Sequence, residues 1–230
     1  MWVERAALNN AEWCDAVCAA HGLTGTFRAH AWTCAKRTPP LYPDAVTLDS
    51  AATADEVLAH IDTASPGCSI KDSFGNLELA ASGFRVLFDA TWIARTGGPA
   101  GDRVPNPWSE VTDARTLERW CHVSDRRIDD QLLASDDIVV LARRGSTKDD
   151  IDAGAVLNRS DSVVGISNLF ANDNDLDATW SACLAFADHR FPGLPAVGYE
   201  AGAPLASALR HGFQPIGQLR IWIDDDNGRT

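Results

Sequence analysis

Between Ser162 and Ile223 the chain alternates β-branched apolar runs with helical spacing in the order strand, helix, strand, helix, strand, and this order constrains the fold more than any single residue. Ser162 to Ala171 is rich in valine, isoleucine and other apolar residues and stops at the polar cluster Asn172-Asp173-Asn174-Asp175, which predicts a strand ending in a tight loop. Trp180, Cys183, Leu184 and Ala187 then recur at helical spacing. Asp175 or Asp177 can cap the start, and Phe191-Pro192-Gly193 ends the element before Pro195 to Tyr199 turns extended. A second helix is expected over Ala203 to His211. Gly212 gives its end the backbone freedom a helix terminus needs, and Phe213 to Ile223 returns as a strand.

Two segments, Tyr199-Glu200-Ala201-Gly202 and Ala208-Leu209-Arg210-His211-Gly212-Phe213, make this region similar to the acyl-CoA-binding half of the GNAT superfamily of N-acetyltransferases. The resemblance implies an α/β (α+β) fold: a mixed, largely antiparallel sheet flanked by helices. It also implies acetyl-CoA as co-substrate, lying beside the strand that ends at Phe170 and Ala171. Asn168, Leu169, Phe170, Ala171, Ala178 and Trp180 would line the coenzyme, with backbone N–H groups near Leu169 to Ala171 polarising the thioester carbonyl. Glu200 would take the proton of an amine substrate, directly or through water, if burial brings its pKa toward neutrality. Tyr199 could supply a hydroxyl; a buried sheet tyrosine is the other reading.

Two departures from the family pattern bear on activity. The family carries an Arg or Gln followed by a glycine-rich turn ahead of the helix to hold a pyrophosphate, whereas Asn172 to Trp180 contains no glycine and no cation, and has three carboxylates. Many members also place a tyrosine four residues before the Gly-Phe pair, and here that position is Ala208. Two readings stand at this point: an N-acetyltransferase acting on a small or cationic amine, and a catalytically inactive binding or interaction module. In the second, Asp175 or Asp177 would cap the helix donors and Trp180 would fill the cleft.

The N-terminal part repeats the pattern more faintly. A helix is expected within Met1 to Gly22, extended segments over Thr24 to Ala35, Tyr42 to Leu48 and Cys68 to Lys71, and a helix over Ala54 to Ile61. Leu77 to Gly83 leads through Phe84 into Arg85-Val86-Leu87-Phe88 and Trp92-Ile93, much as Leu205 to Gly212 leads through Phe213 to Trp222-Ile223. This suggests an internal repeat, either two GNAT-like units in tandem or one GNAT domain with a second half-domain docked on its sheet; two short helix-to-strand units capped by glycine would give the same match. The Gly- and Pro-rich stretch 96–107 reads as a linker between a degenerate unit, 1–95, and an acyl-CoA-binding unit, 108–230. Within the latter, helices are expected over Asp113 to Cys121 and Ile128 to Leu133, and a strand pair over Ile138 to Ala142 and Ala153 to Leu157. A last strand would come from the N-terminal unit, or that unit would cover the edge.

Composition sets further bounds. The 230 residues, 45% apolar and 23% charged, suffice for one substantial core or two small ones. No apolar run reaches membrane-spanning length and no basic segment followed by an apolar one opens the chain, so a cytoplasmic protein is expected. A formal charge of −12 makes nucleic acid an improbable partner and favours a cationic one. Acidic clusters at Asp129-Asp130, Asp136-Asp137, Asp149-Asp150 and Asp224-Asp225-Asp226 read as solvated loops. The six cysteines form no disulfide framework, Cys14 and Cys18 read as small core residues, and no cysteine or histidine spacing forms a metal site. Ser69, Lys71, Asp72 and Ser73 could form a site in the N-terminal unit, although Lys71-Asp72 reads more simply as a surface turn. Most of the eight tryptophans should be core.

Overall fold

A computed structural model of the protein describes residues 1–98, 107–145, 150–172 and 175–225. In chain order the first half contains α1 (Trp2–Ala20), β1 (Gly25–Phe27), β2 (Ala31–Cys34), β3 (Ala45–Thr47), α2 (Ala54–Leu58), β4 (Ser69–Asp72), a 3-10 turn at Ala80–Ser82 and β5 (Phe84–Arg95). The second half contains β6 (Trp108–Glu110), α3 (Ala114–Ser124), a 3-10 turn at Asp130–Ala134, β7 (Ile138–Arg144), β8 (Ile151–Arg159), β9 (Val164–Ala171), α4 (Leu176–Arg190), β10 (Ala196–Glu200), α5 (Gly202–Arg210) and β11 (Gln214–Asp224). Most of the expected 96–107 linker, together with Asp149, Asp173, Asn174 and Asp226, lies outside the described residues.

The chain divides into two compact units whose limits fall inside strands: Met1–Trp92 joined by the stretch from Ile216, and Ile93–Pro215. In the first, the strand order is β1-β2-β3-β4-β11-β5. β3 and β4 run parallel, and β11 pairs antiparallel with β4, Arg220 opposite Asp72 and Trp222 opposite Ile70. In the second, the order is β10-β9-β8-β7-β6, antiparallel throughout except for the parallel pair β9–β10. The fold is therefore the mixed, largely antiparallel α/β arrangement expected. β11, from the C-terminal part of the chain, pairs with β4 and belongs to the N-terminal unit from Ile216 onward.

The 3-10 turn before β5 and the helix α5 before β11 end in the same corner. Gly83 (φ 85°) and Gly212 (φ 86°) adopt the left-handed conformation that favours glycine at a helix end. The Phe84 N–H reaches the Leu79 carbonyl at 3.3 Å, and the Phe213 N–H reaches the Ala208 carbonyl at 3.3 Å. Both phenylalanines are then buried.

Helix starts are set by short acidic or hydroxyl side chains. Asp113 accepts from the Thr116 N–H at 2.9 Å, Thr53 from Glu56 at 3.3 Å and Asp175 from Ala178 at 3.0 Å, each satisfying a donor the helix leaves open. The core of the second unit joins Trp180, Cys183, Leu184 and Ala187 of α4 to Val139, Leu141, Leu157 and Ile166 of the sheet and to Phe213. Each large aliphatic side chain so buried contributes roughly 1.5–3 kcal/mol. On the other face Trp120 of α3 donates its Nε1–H to the Leu141 carbonyl at 2.8 Å and meets the Phe170 ring edge-on. Gly154 lies between them, where a Cβ would come within 2.3 Å of Trp120 Nε1.

The first unit differs from the sequence expectation at its polar residues. Lys71, Asp72 and Ser73 are buried, not a surface turn. Lys71 Nζ donates to Asn10 Oδ1 of α1 at 2.6 Å, and Asp72 accepts from the Phe74 and Leu77 N–H groups at 3.3 and 2.8 Å. Asp44, fully buried, accepts from Thr38 N–H at 3.0 Å, from Ser69 N–H at 2.9 Å and from Arg37. Asp224, expected in a solvated acidic loop, is also buried and accepts from the Gly67 N–H at 3.1 Å. A carboxylate can leave water when donors of the chain replace it: backbone N–H groups at Asp72 and Asp224, and backbone N–H groups with the Arg37 cation at Asp44. Asp136 and Asp137 do lie at the surface, paired with Arg190 and Arg159.

Candidate functional site

The parallel pair β9–β10 organises the site. Among the described residues its ladder holds Ala196 opposite Val164 and Val197 opposite Gly165, after which β10 continues through Gly198 to Tyr199 and Glu200. β9 is irregular at the same level. Val156 of β8 faces Ser167 while Gly154 faces Phe170, so three steps along β9 answer two along β8. The extra residue falls at Asn168, whose φ of 52° is left-handed for a residue with a side chain. Such a bulge takes a residue out of the ladder and re-aims its backbone groups. Beyond it Leu169 and Ala171 pack on the core shared with α4, and Phe170 points to the opposite face against Trp120.

Glu200 stands where β10 ends. Its carboxylate is half-buried and has no hydrogen-bond or ion-pair partner among the described residues, and desolvation by burial pushes its pKa up to about 7. A carboxylate poised there exchanges protons near neutrality, which is the property a general base needs. Tyr199 is half-buried on the same strand end.

The start of α4 is occupied by the chain's own groups. The Ala178 N–H is taken by Asp175. Asp177 accepts from the Ser207 hydroxyl at 2.5 Å and from Arg210 Nη2 at 2.9 Å, and His211 Nε2 lies 3.3 Å from the same carboxylate. The Ser207 hydroxyl, then Arg210, hold Asp177 below the usual carboxylate range. Ser181 Oγ approaches the other ring nitrogen of His211 at 3.5 Å. Trp180 is fully buried and meets the Phe213 ring edge-on with centroids 5.0 Å apart, so its indole is a core group. Ala208 is also core.

Thus Asn168 to Ala171 and Tyr199-Glu200 lie on adjacent strands, while Ala178 lies in the first turn of α4 with its donor already engaged. The Asp177–Ser207–Arg210–His211 cluster was not anticipated. Its trace in the sequence is the spacing of 207, 210 and 211, which share one helix face. Among the described residues no group of three or more histidine, cysteine or acidic side chains is arranged to hold a metal ion, all six cysteines are free, and no helix is long and apolar enough to cross a membrane.

No known family's sequence profile matches the chain, and no curated protein matches it by sequence. Solved structures do. A GCN5-related N-acetyltransferase from Kribbella flavida superposes with a TM-score of 0.62 at 14% identity, covering 95% of this chain and 95% of that one. A GNAT-family protein from Novosphingobium aromaticivorans DSM 12444 superposes with a TM-score of 0.60 at 11% identity, covering 95% and 99%. This chain has the GNAT fold. A Drosophila protein also shares it, with a TM-score of 0.54 at 12% identity over 95% of this chain and 88% of its own.

Proposed function

We propose that the protein is a divergent GNAT N-acetyltransferase that moves an acetyl group from acetyl-CoA to an amine, of a small or cationic acceptor. The observation that carries this reading is Glu200, a partnerless half-buried carboxylate with a pKa of about 7 at the end of the strand beside the β9 bulge. Acetyl-CoA supplies the activated acyl group as a thioester. Backbone N–H groups over Leu169 to Ala171 would face the thioester carbonyl and stabilise charge on its oxygen. Glu200, ionised above neutrality, would take one proton from the attacking nitrogen, and the net acidity of the chain favours approach of a cationic acceptor. Tyr199 stands in for the hydroxyl absent at Ala208 as proton donor to the departing thiolate.

The fit to the coenzyme is uneven. The bulge suits the thioester end, whereas the start of α4 presents Asp175 and Asp177 where a pyrophosphate needs donors. The coenzyme would therefore draw its affinity mainly from the thioester and pantetheine end. The second reading, a GNAT-fold binding module without catalysis, is favoured by one observation, the Ala178 N–H already capped by Asp175. A tandem of two GNAT-like units is part of the proposal and is supported by the matched Gly-Phe corners.

Calorimetric titration with acetyl-CoA and with free coenzyme A at low salt separates the readings. Micromolar binding that is retained in Glu200→Gln while amine acetylation is lost supports the transferase. Absence of heat at millimolar coenzyme leaves the binding module.

A further inference from the structure

In the N-terminal unit two thiols from different elements meet in a dry pocket. Cys18 lies in the last turn of α1 and Cys34 is the last residue of β2, and both belong to one buried cluster with Cys14, Trp32 and Val46. They are 0% and 1% exposed, and their thiols share a hydrogen bond. The backbone holds them there. The chain leaving α1 turns at Gly22 (φ 71°) and returns its Leu23 N–H to the Cys18 carbonyl at 2.9 Å. The next residue, Thr24, offers its carbonyl to Cys34 Sγ at 3.9 Å, and Gly25 pairs with Cys34 across β1 and β2. The neighbouring thiols are placed otherwise. Cys14 Sγ is directed at Asn10 Oδ1, 4.0 Å away within α1, and Cys68 bonds to the Arg37 guanidinium.

We infer that Cys18 and Cys34 are a redox-active dithiol, closed to a disulfide by a small-molecule disulfide oxidant and reopened by thiols. While α1 is fully wound the pair is protected. Burial, then the neighbouring Cys34 and Cys14 thiols, raise the Cys18 pKa well above the usual thiol range, and an un-ionised thiol is a poor nucleophile. The position of the pair relieves that protection. A helix end opens more readily than its middle, and unwinding the last turn of α1 breaks two bonds to the Cys18 carbonyl, from the His21 and Leu23 N–H groups. Cys18 then meets water and regains its ordinary acidity. Its thiolate attacks one sulfur of the oxidant and expels the other half as a thiolate, leaving a mixed disulfide; the Cys34 thiolate attacks the Cys18 sulfur and expels the second half. The two cysteines together lose two electrons and two protons, and the oxidant becomes two thiols. The new bond ties the end of α1 to the end of β2, which the fold already holds together, and encloses residues 19–33, so it restricts the unfolded chain more than the folded one.

The test is peptide mapping by mass spectrometry of the full chain, equilibrated without denaturant in mixtures of oxidised and reduced glutathione, quenched in acid and alkylated at the remaining thiols. The expected product joins Cys18 to Cys34 with loss of two hydrogen atoms, and dithiothreitol restores the dithiol. Cys14→Ala is expected to keep the crosslink, and Cys18→Ala and Cys34→Ala each to lose it. The oxidised wild type is expected to unfold at least about 3 °C above the reduced form. Crosslink and thermal shift are both read on the wild type, so a variant that fails to fold leaves the test standing. Cys18 and Cys34 both remaining free in oxidised glutathione alone overturns the proposal, as does a crosslink through Cys14 in place of Cys18, or an oxidised form that unfolds no higher than the reduced one.

Discussion

The two parallel strand pairs, β3–β4 in one unit and β9–β10 in the other, are built alike and filled differently. Each leads to a corner with a left-handed glycine and a buried phenylalanine, at Gly83-Phe84 and Gly212-Phe213, with matching backbone hydrogen bonds. Around β4 the ends of the strands are locked by charges that have found partners: Asp44 with Arg37 and two backbone N–H groups, Asp72 with two more, and Lys71 with Asn10. At the end of β10 the carboxylate of Glu200 has none among the described residues. The difference teaches how one scaffold serves two ends. A satisfied buried carboxylate holds strands in place, whereas an unsatisfied one raises its pKa and becomes available for proton transfer.

Removing a partner should break this contrast most visibly in the first unit. Asp44→Ala strands the Arg37 guanidinium and the N–H groups of Thr38 and Ser69, and should cost about 3–5 kcal/mol in urea unfolding, against little for the same change at Glu200.

Glu200→Gln should lower the rate of amine acetylation by at least about 100-fold and remove a limb near pH 7 from its pH profile, the wild type gaining activity as pH rises through that point. The stability effect has the opposite sign. The folded carboxyl binds its proton more tightly than the unfolded one, so the contribution of Glu200 to folding stability is most favourable below pH 4.5 and is lost as pH rises to about 7. Glu200→Gln should therefore stabilise the protein by about 1–3 kcal/mol at pH 8 and by little at pH 4, as thermal unfolding at the two pH values would report.

The matched corners can be sharpened by paired substitution. Gly83→Ala and Gly212→Ala should each cost about 1–2 kcal/mol, since both backbones are left-handed. A cost several times larger at one of them would show that the two corners are not equivalent. The smallest change expected is Asp175→Ala, about 1 kcal/mol from the lost cap, accompanied by tighter coenzyme binding as the Ala178 N–H is released.

Much of this architecture was legible in the sequence because periodicity reports which face of an element is dry. The strands over Val164 to Ala171 and Gln214 to Asp224 and both helices between them lie within a residue or two of their expected places. β6 was missed because three residues, Trp108 to Glu110, carry too little alternation to register. The buried polar residues around β4 were misread for another reason. Lys71-Asp72-Ser73 has the composition of a surface turn, and only partners distant along the chain, Asn10 for Lys71 and Thr47 for the Ser73 N–H, make its burial tolerable. At the candidate site, Tyr199-Glu200 and the end of β9 were named through the GNAT resemblance, strand boundaries supplying only their positions in the sheet. The ties from Asp177 to Ser207, Arg210 and His211 depend on how two helices dock, which no local pattern encodes.

The pairing of β11 with β4 has a consequence for biosynthesis. Gly67, beside β4, bonds to Asp224 at the end of β11, 157 residues further along the chain. A ribosome making this protein releases the N-terminal strands well before the segment that covers their edge, and such long-range closure is slow. Until β11 emerges, the flank of β4 that it covers stays open, an unpaired strand edge of the kind that other strands can join.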